Sequence, residues 1–140
     1  MGETVQVGAL EYTVLEVDWL PQMTSDGNVR LPRHRFAQVR LTIRNRASKE
    51  VGLPLLSLQD EKGAEFRELD DIKNVSDWPG ILRMLKPDDT LTGRVFFDAP
   101  MKEMRLFASD VSDPMNERNA LIEIPVTLDV APAVPAPAGR

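Results

Sequence analysis

The residues best suited to bind a charged ligand lie in one short segment, RLPRHR, at Arg30–Arg35. It places Arg30, Arg33, His34 and Arg35 within six residues of a chain whose formal net charge is −5. Arginine guanidinium groups bind carboxylates and phosphates through paired hydrogen bonds. The segment is therefore a candidate site for an anion or an acidic protein partner. The competing interpretation is a solvated loop that balances nearby acids.

His34 is the only histidine, and a triad-type hydrolase would need it. A Ser-His-Asp triad requires a histidine that is held by a carboxylate and touches a nucleophile. His34 instead lies between Arg33 and Arg35, without an adjacent acid. The lack of cysteine removes disulfides, thiolate metal sites and thiol nucleophiles together. We therefore expect no enzyme and no catalytic residue, and a hydrolase with a site scattered over loops is the least favoured alternative.

Calcium is the metal that the carboxylates bring into question, because it takes several oxygen ligands. The acidic clusters are Glu68, Asp70 and Asp71, then Asp88 and Asp89, then Asp110, Asp113 and Glu117. None has the glycine and spacing of an EF-hand loop, so a calcium- or ligand-carrying domain stays an alternative. The irregular spacing of the methionines favours gap-filling in the core over a copper(I) site. The methionines concerned are Met84, Met101, Met104 and Met115. No metal site and no cofactor are predicted.

The most apolar segment between strands is SDWPGILRML, at Ser76–Leu85. Ser76 is a suitable helix N-cap and Pro79 suits a first turn, so at most a short helical turn is expected. Trp78 and Leu82 are candidates for a partner-docking patch. The favoured alternative is a lid that closes one end of the fold.

Alternating strands are the elements that must position these residues. In Phe36–Asn45 the apolar residues Ala37, Val39, Leu41 and Ile43 share one face, as in a half-buried strand. The predicted strands are Thr4–Val7, Leu10–Leu20, Phe36–Asn45, Val51–Gln59, Ala64–Leu69, Leu91–Phe97, Met104–Ser109 and Leu121–Leu128. Seven or eight short strands with turns between them predict an all-β, immunoglobulin-like antiparallel sandwich.

Local signals add detail to this sandwich. Pro54 cannot donate to a ladder, so its strand is expected at an edge or a bulge. The DEKG sequence at Asp60–Gly63 predicts a type I turn that closes a hairpin. Pro21–Arg35 is expected to be irregular. Residues 1–130 are expected to form one domain, followed by a Pro/Ala-rich tail, Ala131–Arg140, in extended conformation.

Composition restricts partners and location. The acidic balance, with a pI of about 4.9, does not suit a nucleic-acid binder. No apolar run approaches the roughly 20 residues of a membrane helix. The chain begins a few residues before its first strand, so it is either cytoplasmic or has lost a leader.

Three stretches of the chain form a recognisable set: GETVQVGALEYTVLEVDW, FAQVRLTIRNRASKEVGLPLLSLQDEKGAEF and LKPDDTLTGRVFFDAP. Together they resemble a family of bacterial secreted or lipoprotein immunoglobulin-like domains of unknown function, the DUF4352-like domains. This family is related in fold to a mycobacterial secreted immunoprotective antigen. The resemblance covers roughly Gly2 to Leu128, and its motifs are structural. It implies a sandwich, a location outside the cytoplasm, and no enzyme activity or cofactor.

One residue departs from the family pattern. The family usually has glycine after the proline of the Lys-Pro turn, and this chain has Asp88. A type II turn favours glycine there, so Asp88 predicts a type I turn or a strained type II turn. The resulting hypothesis is a non-enzymatic extracytoplasmic binding or scaffolding module with another envelope protein as partner.

Overall fold

The structure, a computed structural model, describes residues 4–80, 83–110 and 118–124. In this part of the chain there are twelve β-strands and no helix. The strands are β1 (Thr4–Val7), β2 (Leu10–Leu20), β3 (Met23–Ser25), β4 (Asn28–Arg30), β5 (Arg35–Asn45), β6 (Val51–Gly52), β7 (Ser57–Gln59), β8 (Glu65–Arg67), β9 (Met84–Leu85), β10 (Thr90–Ala99), β11 (Met104–Asp110) and β12 (Arg118–Ile124). It follows that no helix of the described residues is long enough to cross a membrane.

Two four-stranded antiparallel sheets form the sandwich. The first sheet has the order β1-β2-β5-β10, and the second has the order β12-β11-β7-β8. Two small pairs, β3-β4 and β6-β9, complete the strand set. The Tyr12 hydroxyl joins the two sheets by donating a 2.9 Å hydrogen bond to the carbonyl oxygen of Ser109. This architecture confirms the predicted antiparallel β-sandwich.

The main core lies between the sheets and contains the predicted inner face of β5. Val39 and Leu41 are almost fully buried, and they pack in one cluster with Val95 and Phe97 of β10 and Leu106 of the second sheet. Burial of this apolar surface is the main driving force for joining the sheets. The alternation of apolar and polar residues therefore predicted the inner face correctly.

A second apolar cluster lies on the outer face of the first sheet. Its buried members are Met23, Phe36, Ile72 and Phe96. Phe36 and Phe96 sit on the face that the sequence pattern assigned to solvent. They are buried because the β3-β4 hairpin and the segment around residues 69–78 pack over them. The first sheet is therefore covered on both faces at this end.

The free edge of β10 is covered by the same segment. The backbone N–H of Leu69 donates a 2.8 Å hydrogen bond to the carbonyl oxygen of Phe96, and that of Arg94 donates a 2.9 Å bond to the carbonyl oxygen of Asp77. A Cβ atom at Gly93 would lie 2.7 Å from the same Asp77 oxygen. Glycine at this position therefore permits the close approach of the covering segment.

The prediction that Pro21–Arg35 is irregular was wrong for its first part. Met23–Ser25 pairs with Asn28–Arg30 across a two-residue turn. The turn residues Asp26 and Gly27 have φ angles of 55° and 79°. Two positive φ angles define the type I′ turn that suits a two-residue hairpin.

At most a short helical turn was expected within Ser76–Leu85, and the residues described there form none. Asp77 and Gly80 have positive φ angles of 65° and 79°, which a right-handed helix does not accept. Farther on, Leu85 pairs with Val51 in the β6-β9 ladder. Hydrogen bonds to distant strands therefore replace the local helical ones.

Other boundaries differ from the predicted ones in smaller ways. Val51–Gln59 is not one strand, because the stretch around Pro54 separates β6 from β7. The Asp60–Gly63 turn is confirmed by a 3.0 Å hydrogen bond from the Gly63 N–H to the Asp60 carbonyl oxygen. The end of the predicted strand Leu121–Leu128 and the whole tail, 131–140, lie outside the described residues.

Candidate functional site

The basic segment forms the connection from β4 to β5, and its first arginine has a partner. Arg30 lies at the end of β4, where its Nη1 atom donates a 2.9 Å hydrogen bond to Oδ1 of Asp71. The two side chains are 31% and 62% exposed. An exposed pair of this kind contributes little stability, but it places a carboxylate partner beside the positive charge of Arg30.

Asp98 fixes the shape of the loop. Its two carboxylate oxygens accept hydrogen bonds from the backbone N–H groups of Arg33, at 2.7 Å, and His34, at 2.8 Å. Asp98 belongs to β10, so the loop is held against the rigid first sheet. The acid that the sequence did not show beside His34 is thus supplied from 64 residues away, but it binds the backbone and not the imidazole.

The side chains of Arg33 and His34 are both exposed. The His34 ring packs edge-on against Phe66 of β8, with ring centroids 6.1 Å apart and planes at 82°. The loop therefore reaches from the first sheet to the edge of the second. Contact with a phenyl ring gives the imidazole no acid to orient it, unlike the histidine of a catalytic triad.

Arg35 differs from its neighbours, because it begins β5 and is only partly exposed. It lies opposite Ala99 of β10, which is fully buried in the main core. Its Nε atom is buried without a hydrogen-bond partner among the described residues. The four basic residues therefore do not act as one patch: Arg33 and His34 face solvent, Arg30 is paired, and Arg35 faces inward.

The sequence interpretation missed two apolar residues beside these cations. Val29 is 62% exposed and Leu31 is 74% exposed, among the most exposed large apolar side chains of the described residues. Both flank Arg30, and Leu31 precedes Arg33 by two positions. We call Val29, Leu31, Arg33 and His34 the loop surface. The signal available in the sequence was an apolar residue on each side of Arg30 in a polar segment.

The second predicted patch has a structural role in its described part. Trp78 is partly buried and packs against the second apolar cluster. It covers the outer face of the first sheet, and the expected lid over one end of the sandwich is therefore displaced to a sheet face. Leu82, the other predicted residue, lies outside the described residues.

A buried ion pair joins Glu68 and Arg83, and no sequence pattern predicted it. The side chains are 0% and 1% exposed. Two guanidinium nitrogens of Arg83 donate to the two carboxylate oxygens of Glu68, and Arg83 Nε donates a 2.6 Å bond to the carbonyl oxygen of Gly80. One Glu68 oxygen also accepts a 3.1 Å hydrogen bond from the Leu56 N–H. The pair connects three irregular segments around the sandwich.

The acidic clusters do not meet in the described part of the chain. Glu68 forms an ion pair with Arg83, and Asp71 forms one with Arg30. Oδ1 of Asp88 lies 3.6 Å from a guanidinium nitrogen of Arg44. No group of three histidine, aspartate or glutamate side chains among the described residues is arranged to hold a metal ion. Asp113 and Glu117 lie outside those residues.

The carboxyl group of Asp60 has a shifted pKa. Its side chain lies 3.0 Å from Nζ of Lys102 and accepts hydrogen bonds from the backbone N–H groups of Ala64 and Lys62. The Lys102 hydrogen bond, followed by the backbone bond from Ala64, lowers the pKa of Asp60 below 3.8. The same pair raises the pKa of Lys102 above 10.5. This contact ties the Asp60–Gly63 turn to the link before β11.

The fold and the loop surface together describe a small β-sandwich domain with long, anchored connections. The chain belongs to the family described as "Domain of unknown function (DUF4352)", whose model matches residues 1–117. This match confirms the resemblance drawn from the three sequence stretches. No curated protein matches the chain.

Solved structures of bacterial proteins share the fold. The YjhA protein of Bacillus subtilis has a TM-score of 0.66 at 16% identity, over 89% of this chain and 97% of that one. YcdA of Bacillus subtilis, described as a "putative lipoprotein", has a TM-score of 0.67 at 10% identity. The match covers 90% of this chain but only 39% of the YcdA chain. A β-sandwich protein of Clostridium difficile has a TM-score of 0.51 at 12% identity, over 89% and 91%. The TM-scores show a common fold, and at sequence identities this low they show nothing more.

Proposed function

We propose that this chain is a non-enzymatic, immunoglobulin-like binding module that works outside the cytoplasm. It docks an acidic, partly apolar segment of another envelope protein through the loop surface. The observation that carries this proposal is the exposure of Val29 and Leu31, at 62% and 74%, next to Arg33, which is exposed and forms no ion pair with the described residues. Arginine is enriched at protein interfaces, and the apolar side chains beside it offer area whose burial favours binding.

The anchoring of the loop supports recognition. Asp98 holds the backbone at Arg33 and His34, so the loop loses little conformational freedom when a partner binds. Positive charge on this loop stands out against the net charge of −5, which favours an approach by an acidic segment. The loop surface thus combines a steering charge with apolar area to bury.

Two observations support the location and the absence of chemistry. One similar structure, YcdA, carries a lipoprotein description, which fits a domain tethered at the cell envelope. The lone His34 contacts Phe66, and no carboxylate of the described residues bonds its ring, which fits a residue that packs and binds.

An array of synthetic peptides with graded net charge and graded apolar content tests the proposal. We expect binding by acidic peptides that contain apolar residues, and we expect it to weaken with salt because screening reduces the attraction to Arg33. Arg33→Glu should abolish this binding. Leu31→Ser should weaken it at every salt concentration, since apolar burial is not screened.

Arg105→Glu is the matched control, because Arg105 is an exposed arginine on β11 of the other sheet. It changes the net charge by the same amount and should bind like the wild type. Equal losses from Arg33→Glu and Arg105→Glu would reduce the effect to net charge and contradict the proposed surface.

A further inference from the structure

Two buried N–H donors at one end of the sandwich have no hydrogen-bond partner among the described residues. They are the indole Nε1 of Trp19 and the guanidinium Nε of Arg35. Buried donors are nearly always paired with protein or with a bound molecule, because leaving them unpaired costs free energy. Two such donors close together therefore indicate a place for an acceptor.

The strand register brings the two donors to the same place. Trp19 of β2 lies opposite Ala37 of β5, and Arg35 lies two residues before Ala37 on the same strand. Residues two apart on a strand share a face, so Trp19 and Arg35 are diagonal neighbours. Such neighbours are about 7–8 Å apart, within reach of one ligand for long side chains. Trp19 packs against the main core, which places this face between the sheets.

The cross-strand partners of the two donors are small. Trp19 has Ala37 as its partner across the strands, and Arg35 has Ala99. The methyl side chain of alanine can neither accept a hydrogen bond nor extend over the donors. Arg35 also has no carboxylate partner among the described residues, so its positive charge is uncompensated there.

A second pair of unpartnered donors shows what a closed arrangement looks like. Arg94 Nε and Trp78 Nε1 are also without partners in the described part of the chain. The Arg94 guanidinium is nevertheless held by Gln38, at 3.1 Å, and by the carbonyl and hydroxyl oxygens of Ser76. Arg35 has no such acceptors among the described residues, so in this part of the chain the Trp19–Arg35 pair is the one left open to a ligand.

We infer that Trp19 and Arg35 form a binding site for a carboxylate group. One carboxylate accepts two hydrogen bonds from the Nε edge of the guanidinium and a third from the indole N–H. Arg35 is partly exposed, so a ligand that enters from the end of the sandwich can reach its guanidinium group. A singly charged carboxylate matches the single charge of Arg35. A doubly charged phosphate would leave one buried negative charge without compensation.

The site does not depend on the loop surface, because Arg35 points inward while Arg33 points to solvent. The carboxylate has two sources, a free organic acid or an acidic residue of a protein. The experiment below separates them, and its outcome is independent of the peptide-array result for Arg33→Glu.

Nuclear magnetic resonance of the ¹⁵N-labelled chain tests the site directly. The chain has two tryptophans, so two indole N–H signals are expected, and Trp78→Phe assigns them. Titration with acetate should shift the Trp19 indole signal and the Arg35 Nε signal until saturation. The Trp78 indole serves as the internal control and should stay in place. Sodium chloride and sodium phosphate at matched ionic strength should produce no saturable shift.

Variants and a second ligand complete the test. Arg35→Gln should weaken acetate binding roughly ten- to hundredfold, as expected for a lost charge-assisted pair. An acidic peptide that saturates the same two signals at lower concentration than acetate identifies a protein source, whereas a peptide no better than acetate identifies a free acid. No shift of the wild-type Trp19 signal, or parallel shifts of both indoles with chloride and acetate, would overturn the proposal without reference to any variant.

Discussion

The backbone N–H of Asp88 donates a 2.8 Å hydrogen bond to the carbonyl oxygen of Asn45, which ends β5. The Asn45 N–H in turn donates a 3.0 Å bond to the carbonyl oxygen of Asp89. The buried Asn45 side chain adds bonds to the carbonyl oxygens of Lys49 and Leu85. Two motifs that are distant in the sequence, the asparagine that ends the alternating strand and the Lys-Pro turn, are therefore one structural unit.

Removing the Asn45 side chain should destabilise the domain strongly. Asn45→Ala deletes the donors to Lys49 and Leu85 and the acceptor of the Ala47 N–H, and it leaves buried backbone groups unpaired. We expect a loss of roughly 2–5 kcal/mol in the free energy of unfolding, measured by urea denaturation. Gln22→Ala, at an exposed position, is the control and should change it by less than about 0.5 kcal/mol. Similar losses from both variants would contradict this role for Asn45.

Replacing Asp88 with glycine should stabilise the domain slightly. Asp88 has a φ angle of 64° at the third position of a turn closed by a 3.1 Å hydrogen bond from the Asp89 N–H to the Lys86 carbonyl oxygen. This is the strained type II turn of the two forms that the sequence allowed. Relief of the left-handed strain should outweigh the entropy cost of glycine and the exposed contact to Arg44, with a gain of up to about 1 kcal/mol.

Asp89→Gly provides the comparison for this turn, because Asp89 has no positive φ angle to relieve. It should lower the thermal midpoint while Asp88→Gly raises it. A lower midpoint for Asp88→Gly would mean that the aspartate side chain stabilises the turn more than its backbone conformation costs.

The Glu68–Arg83 ion pair should show strong coupling in a double-mutant cycle. Glu68→Leu or Arg83→Met alone leaves a buried charge without its partner, which should cost about 3–5 kcal/mol. The double variant should recover most of this loss, since two apolar side chains of similar size need no pairing. Chemical denaturation of the four proteins gives the coupling energy, and simple additivity of the single losses would contradict a direct interaction.

Stability should fall in acid partly through Asp60. The Lys102 hydrogen bond and the backbone N–H bonds lower the pKa of Asp60 in the folded state. A lowered folded pKa adds stability above the unfolded value near 3.8, and that stability is lost as the pH falls through the folded pKa. Asp60→Asn should therefore flatten the acid part of a plot of unfolding free energy against pH.

Lys102 should act at the opposite end of the same plot. Its folded pKa is raised by the hydrogen bond with Asp60, so its contribution is complete below 10.5 and is lost as the pH rises through the folded pKa. Lys102→Met should remove the alkaline effect and reduce the acid one, because the backbone N–H bonds from Ala64 and Lys62 still lower the pKa of Asp60. An unchanged acid limb in both variants would show that the ion pair is not linked to folding.

The sequence predicted the inner face of the sandwich well, because alternation in a strand is a local signal. Val39 and Leu41 follow it, and both are buried. Phe96 breaks it, since its burial depends on a covering segment that is distant in the sequence. The hairpin at Asp26–Gly27 could have been predicted from the sequence, because an Asp-Gly pair is a strong signal for a type I′ turn.

The candidate sites were predicted less well, for a physical reason. Residue type alone grouped Arg33 with Arg35, but strand register turns Arg35 inward toward Ala99. The Glu68–Arg83 pair forms between irregular segments that have no periodicity to read. Side-chain direction and contacts between irregular segments depend on the tertiary fold, so they cannot be predicted from residue types alone.

The covered edge of β10 bears on how the domain behaves at high concentration. An open strand edge is a template on which a strand of another molecule can add, and such addition leads to fibrous aggregates. Asp77 and Leu69 already use backbone groups of Arg94 and Phe96 that such a strand would need. Gly93 admits this cover, so a larger residue there would loosen it and expose the ladder. The segment over β10 therefore protects the domain against edge-to-edge self-assembly on this side.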